Sequence, residues 1–191
     1  MTEDGYILAL HRIPHGKGAD PAVQRPVIFV QHGLLCSSAD WVVSDPAKGL
    51  GYILADAGYD VWLGNYRGNT YSRNHTVLDP EHTRSGFWDF TWDEMAKFDL
   101  PTMIEYVLET TGEQELFYAG HSMGTTGFMA MHHYRPDIGE KCEADQGAEL
   151  SVNVWFHCQD QTGQPPGSGG GGGQHGRTSR LDLGQHSLRD D

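Results

Sequence analysis

The stretch Leu116-Phe117-Tyr118-Ala119-Gly120-His121-Ser122-Met123-Gly124-Thr125-Thr126 decides the reading of this chain. Its first four residues make a short apolar strand, and Gly124 to His133 carries the spacing of a helix. Between them lies G-x-S-x-G. The bare pattern arises by chance in about one chain in twenty of this length, so the strand before it and the helix after it give it meaning. A serine on a sharp strand-to-helix turn takes a strained backbone conformation, and side chains two residues to either side would collide with strand and helix. Gly120 and Gly124 remove those collisions. The turn lifts the Ser122 hydroxyl above the sheet at a helix N-terminus, whose free N–H groups favour developing negative charge. Ser122 is therefore the candidate nucleophile. His121 belongs to the turn, and a base has to come from elsewhere.

Working outward, Val27-Ile28-Phe29-Val30 is a continuous apolar run, the pattern of a buried parallel strand reaching Gln31. His32-Gly33-Leu34-Leu35 follows it directly, where a strand-end loop can bring a backbone N–H towards the serine. Leu34 and Met123 are the expected donors of an oxyanion hole, and both act through the backbone, so neither side chain is constrained. Further strands are expected at Tyr6 to Ile13 and Tyr59 to Leu63. His15 to Arg25 is a Gly- and Pro-bearing connection, and Asn65 to Trp88 a long polar and aromatic loop. Lys48 to Ala57 has helical spacing with Leu50, Ile53 and Leu54 on one face and Gly58 at its C-terminal cap. Thr91 to Thr111 reads as a helix with a Thr91/Glu94 capping box, Pro101 set to kink or split it, and Gly112 beyond its end. Strand and helix alternate throughout, which predicts a mostly parallel sheet with helices on its faces.

The 191 residues suit one ordinary domain. Hydrophobic residues make up only 38%, but much of the Gly, Gln and Ser excess lies beyond Gln159, so the first two-thirds read as globular. The net charge of −13 and the lack of a basic patch argue against a nucleic-acid or anionic-membrane partner. No apolar run reaches the roughly 20 residues of a bilayer span. Met1-Thr2-Glu3-Asp4-Gly5 is polar, unlike a signal peptide. Cys36, Cys142 and Cys158 lack metal-ligand spacing; a Cys142–Cys158 disulfide and three free thiols both remain open. His132 and His133 point in different directions on their helix, so no metal is expected there, and His11 and His15 read as structural. No cofactor is expected. Asn74-His75-Thr76 fits a glycosylation acceptor.

Several blocks, taken in order, resemble the acid lipases of the gastric and lysosomal type, within the α/β-hydrolases. They are Thr2 to Leu8, His11 to Pro14, Gln31 to Leu35, Leu54 to Asn65, Arg67 to Thr70, Phe90 to Pro101 and Gly120 to Thr126, together covering about residues 1 to 134. The resemblance implies an α/β-hydrolase fold and hydrolysis of triacylglycerols or cholesteryl esters in secreted or lysosomal settings. It places Ser122 at the nucleophile and Leu34 and Met123 at the oxyanion positions, Met123 standing where glutamine is common.

A serine hydrolase also needs an acid and then a histidine later in the chain. Asp145 and Asp160 are paper candidates for the acid, and His157, His175 and His186 for the base. His157 precedes Asp160, the wrong order, and His175 and His186 fall in or after the five-glycine run Gly169 to Gly173. The triad acid and base stay unassigned. The expected organisation is a partial α/β-hydrolase domain over residues 1–141, truncated after the serine turn. A divergent segment follows over 142–162, with Leu150 to Phe156 able to form a strand, and a Gly-rich tail over 163–191. Two functions follow: a serine ester hydrolase acting on lipid esters, or an inactive hydrolase remnant lacking the triad Asp and His. A third variant keeps the fold and acts on short esters.

Overall fold

The computed structural model describes residues 1–142. The expected strand over Leu150 to Phe156, the tail, and Asp145, His157, Cys158, Asp160, His175 and His186 lie outside the described residues. Among those described, four strands form one sheet: β1 (His11–Ile13), β2 (Val27–Gln31), β3 (Asp60–Leu63) and β4 (Phe117–Gly120), in the order β1-β3-β2-β4. The helices are α1 (Leu50–Asp56), α2 (Trp92–Glu94), α3 (Leu100–Thr111), α4 (Met123–Tyr134) and α5 (Pro136–Gly139).

β2 is the central strand, and its sequence explains why. All five residues are buried. Val27 and Phe29 join one apolar cluster, while Ile28 and Val30 join another on the opposite face. A strand covered on both faces needs no polar alternation. β3 and β4 flank it in parallel, with Phe29 opposite Trp62 on one side and Tyr118 on the other. The first cluster is filled by α3 and α4. Leu100, Met103, Ile104, Val107 and Leu108 are all buried, which is the i, i+3, i+4 rhythm of a helix face turned to a core. Each such side chain contributes about 1.5–3 kcal/mol on burial, so packing rather than helix propensity holds α3 in place. α1 covers the other face through Ala55.

Four local expectations change. The strand expected from Tyr6 shortens to His11–Ile13. Loop side chains satisfy the backbone before it: Ser72 Oγ accepts from the Ala9 N–H at 3.0 Å, and Asn65 Nδ2 donates to the Ala9 carbonyl at 3.1 Å. Tyr6 pairs only with His75 in an isolated antiparallel bridge. β1 is also antiparallel to β3, so the sheet is mixed at that edge. On α1 the buried residues are Gly51 and Ala55, whereas Leu50 and Ile53 are 38% and 44% exposed. The small residues permit close approach to the sheet; Leu54 packs partly buried beside them, and Leu50 and Ile53 turn outward.

The fourth change is at Pro101. The capping box is present, with Glu94 accepting from the Thr91 N–H at 2.7 Å and Thr91 Oγ1 from the Asp93 N–H at 3.2 Å. The helix neither breaks nor ends before the proline. Instead Met95–Asp99 form a π-helical turn in which the Leu100 N–H donates to the Met95 carbonyl. Proline has no N–H and its ring crowds the carbonyl four residues back. Widening the turn ahead of Pro101 relieves that crowding and leaves the proline in the first turn of α3.

Candidate active site

β4 runs into Ser122, and α4 begins one residue later. Ser122 has φ 51° and ψ −115°, a region that a non-glycine residue occupies at a cost of about 1–3 kcal/mol. The surrounding bonds fix it there. The His121 N–H donates to the Gln31 carbonyl at 3.0 Å, and the Gly124 N–H to the His121 carbonyl at 2.9 Å. Thr125 Oγ1 donates to the Gly120 carbonyl at 3.0 Å, and Tyr118 Oη to the Gly124 carbonyl at 2.8 Å. The flanking glycines are dictated by space. A Cβ on Gly120 would lie 2.9 Å from the Gly124 carbonyl carbon, and one on Gly124 only 2.6 Å from the Gln31 carbonyl oxygen.

The loop leaving β2 meets this turn. A Cβ on Gly33 would fall 3.1 Å from Ser122 Cβ, so the Gly33 backbone lies directly against the serine. Leu34, Ser122 and Met123 line one cleft of about 510 Å³, together with Phe90, Thr91, Trp92, Met95 and Thr126. The cleft opens at the C-terminal ends of β2 and β4, whose following helices α1 and α4 lie on opposite faces of the sheet. Such a switch point is where open α/β sheets offer a crevice. Ser122 is exposed there, and most of the other lining side chains are apolar. The chemistry on offer is an accessible hydroxyl at a helix N-terminus beside an apolar wall.

His32 is buried behind the loop. Its Nδ1 is 2.8 Å from the Gly33 carbonyl oxygen, and its Nε2 accepts from the Tyr66 N–H at 3.2 Å. Burial holds its pKa below the ordinary 6.5, against the opposing pull of the Gly33 carbonyl and Asp40. The cleft wall carrying Phe90 rests on Arg67, which is 1% exposed in its side chain. Arg67 donates from its backbone N–H and from Nε to Asp99, both at 2.8 Å, and from its two terminal nitrogens to Asp4 at 2.6 and 2.9 Å. Its guanidinium lies 4.0 Å from the Tyr6 ring centroid and 5.9 Å from that of Phe90. Burial pushes the Asp99 carboxyl up to about 6 despite the Arg67 hydrogen bonds.

The remaining sequence candidates sit elsewhere. His121 is half-buried and edge-on to Trp41, with ring centroids 6.5 Å apart. His11 Nδ1 is 2.7 Å from Ser38 Oγ, and His132 Nδ1 is 3.0 Å from the Phe128 carbonyl. No group of His, Cys, Asp and Glu among the described residues could hold a metal. Cys36 has its thiol pushed up to about 11 by burial and by Asp40. Asn74 is exposed and is not among the residues lining the cleft. No helix among the described residues is long and apolar enough to cross a membrane. Sequence reasoning did not pick out Phe90, Trp92, Met95 and Thr126 as cleft residues, nor Arg67 and Asp99 as the support of its wall. All of them fall within the blocks that carry the family resemblance, and the aromatic character of Phe87 to Trp92 was a further signal with no assigned partner.

Comparison with known proteins bears on the fold and the family. A family model described as "alpha/beta hydrolase fold" matches residues 26–138, and one described as "Partial alpha/beta-hydrolase lipase region" matches residues 1–45. Lipase lipl-1 of Caenorhabditis elegans is 60% identical over 143 residues, 73% of this chain and 35% of that protein. Gastric triacylglycerol lipase of Bos taurus is 52% identical over 143 residues, 74% and 35% of the two chains. Lysosomal acid lipase/cholesteryl ester hydrolase of Macaca fascicularis is 54% identical over 157 residues, 81% and 39% respectively. The chain thus spans about a third of the length of the curated relatives it matches. By these matches, and by the mixed, mostly parallel sheet that carries its serine turn, the chain belongs to the acid lipase family of α/β-hydrolases.

Proposed function

We propose that this chain carries the nucleophile half of a carboxylic ester hydrolase site acting on lipid esters of the triacylglycerol or cholesteryl ester class. The observation that carries the reading is the strained Ser122 backbone at the β4–α4 junction, on the same cleft wall as Leu34 and Met123. In this mechanism Ser122 Oγ bonds to the ester carbonyl carbon and the carbonyl electrons move to oxygen. The Leu34 and Met123 N–H groups hold that oxyanion. Collapse breaks the bond to the alcohol, which leaves with the serine proton delivered through a general base. Water then repeats the sequence on the acyl-enzyme. The apolar lining of Phe90, Trp92 and Met95 suits an acyl chain. The gastric and lysosomal relatives suggest a secreted or lysosomal setting.

The experiment is labelling with a fluorophosphonate probe and mapping of the modified peptide. Modification of Ser122, lost in Ser122→Ala, is expected; folded protein that stays unlabelled refutes the reading. A second reading has its own observation: among the described residues no hydrogen bond reaches Ser122 Oγ. A non-catalytic remnant would look the same. Turnover of a short-chain nitrophenyl ester that disappears in Ser122→Ala excludes the remnant. Without a base only a residual rate, about 10³–10⁴-fold over water, survives from the oxyanion hole and binding.

A further inference from the structure

The His32 imidazole meets two backbone groups and one side-chain amide, each with a fixed hydrogen-bond role. The Gly33 carbonyl oxygen only accepts, so Nδ1, 2.8 Å away, must carry the proton. The Tyr66 N–H only donates, so Nε2 must offer a lone pair. Asn69 makes the same demand. Its Oδ1 accepts from the Tyr71 and Ser72 N–H groups, both at 3.0 Å, which fixes its Nδ2 as the donor lying 3.1 Å from Nε2. Asn69 Nδ2 also donates to Asn65 Oδ1 at 2.8 Å. Protonating Nε2 would set an N–H against two donors. Among the described residues Asp40 is the charged group acting on the ring, and burial outweighs it.

The peptide joining Gly33 to Leu34 is planar and trans, so its C=O and N–H point in opposite directions. A donor that grips the Gly33 oxygen from the buried side therefore directs the Leu34 N–H away from the ring. The Cys36 N–H reaches the same oxygen at 3.4 Å. On this basis we propose that His32 is a positioning residue: a neutral imidazole, protonated at Nδ1, that aims the Leu34 N–H by holding the carbonyl of the same peptide. The consequence for catalysis rests on the ester hydrolase reading above; the tautomer and the aim of the peptide do not.

Two substitutions separate the halves of the ring. Asparagine places an amide nitrogen where Nδ1 stands and keeps the donor to Gly33. Glutamine places an amide oxygen near Nε2 and keeps only the acceptor. In the ¹⁵N-labelled chain, long-range ¹H–¹⁵N spectra are expected to show the Nδ1–H tautomer at neutral pH. The Leu34 amide resonance should stay near its wild-type position in His32→Asn and move in His32→Gln. Fluorophosphonate labelling of Ser122 should remain within about tenfold in His32→Asn and fall about 10²–10³-fold in His32→Gln, the loss found when one oxyanion donor is removed. An Nε2–H or doubly protonated ring overturns the proposal. So does a Leu34 resonance that follows the opposite order, or equal labelling of the two variants. If the wild-type chain takes no label, the hydrolase reading fails by itself, and the spectra still decide the role of His32.

Discussion

Replacing Gly124 by alanine tests the close approach of α4 to the end of β2. The new Cβ would lie 2.6 Å from the Gln31 carbonyl oxygen and 2.9 Å from that of His32. Ordinary contact begins near 3.4 Å, so the helix start and the strand end must part by most of an ångström. Neither side yields easily. Both neighbours are backbone atoms, and the Gln31 oxygen already accepts from the His121 N–H in a strand paired on both sides. Overpacking of this kind costs about 1–3 kcal/mol, and a rigid partner places it near about 3. Alanine recovers about 1 kcal/mol of helix propensity over glycine, leaving a net loss of about 2 kcal/mol. With a urea slope of about 2 kcal/mol per molar, the unfolding midpoint should fall by about 1 M. Urea titration read by tryptophan fluorescence measures it, with Met129→Ala on the exposed side of α4 as a control expected to stay within about 0.5 kcal/mol. The same displacement separates Ser122 from the Gly33 backbone, and a misplacement of about 1 Å costs on the order of 10²-fold in rate. Stability of Gly124→Ala within about 0.5 kcal/mol of wild type would refute the reasoning, because the clash would then have been relieved at no cost.

Three further outcomes are expected. Arg67→Met strands the buried Asp99 carboxylate and should cost about 3–5 kcal/mol at pH 7.5. Because burial already pushes Asp99 up to about 6, the loss should shrink at pH 5, where the orphaned carboxyl is neutral; an equal loss at both pH values in urea titrations contradicts this. His32 has a folded pKa below the ordinary 6.5, so the unfolded chain binds the proton more tightly. Its contribution is complete above 6.5 and is lost as pH falls through the lower folded value, so His32→Asn should flatten the stability profile below pH 6.5; an unchanged slope argues against it. Asn74 and Thr76 are exposed while His75 between them packs edge-on against Tyr6 at 4.7 Å. Passage through a eukaryotic secretory pathway should therefore add a glycosidase-sensitive mass that Thr76→Ala abolishes, and a chain secreted without that mass counts against the site.

The parts legible in the sequence were those in which one local rule dominates. Val27 to Gln31 could only be a doubly covered strand, and the glycines around Ser122 mark a turn with no room for side chains. The Thr91/Glu94 box is a local hydrogen-bond pattern and was read as such. The parts that were not legible depend on contacts distant in sequence. Arg67 joins Asp4 to Asp99 across most of the described chain, and nothing near Arg67 announces either partner. α1 misled because Leu50 and Ile53 look like core residues, while the helix meets the sheet through Gly51 and Ala55, with Leu54 partly buried beside them. His32 looked like an ordinary loop residue because one of its partners is the carbonyl of the next residue and the other two, the Tyr66 N–H and the Asn69 side chain, come from a loop more than thirty positions later.

The π-helical turn at Met95–Asp99 puts one extra residue into an otherwise regular helix, and so sets the phase between its two halves. Downstream, Leu100, Met103 and Ile104 are tied to the core; upstream, Trp92 lines the cleft, with Met95 at the start of the turn touching both cleft and core. Each residue of an α-helix advances about 100° around the axis and about 1.5 Å along it. Deleting the exposed Lys97 would restore an even winding, yet it would swing Trp92 by roughly a quarter of a revolution or leave the core half out of step. Length changes in this segment should therefore be far less tolerated than changes of residue type, because the cleft wall is set by counting rather than by chemistry.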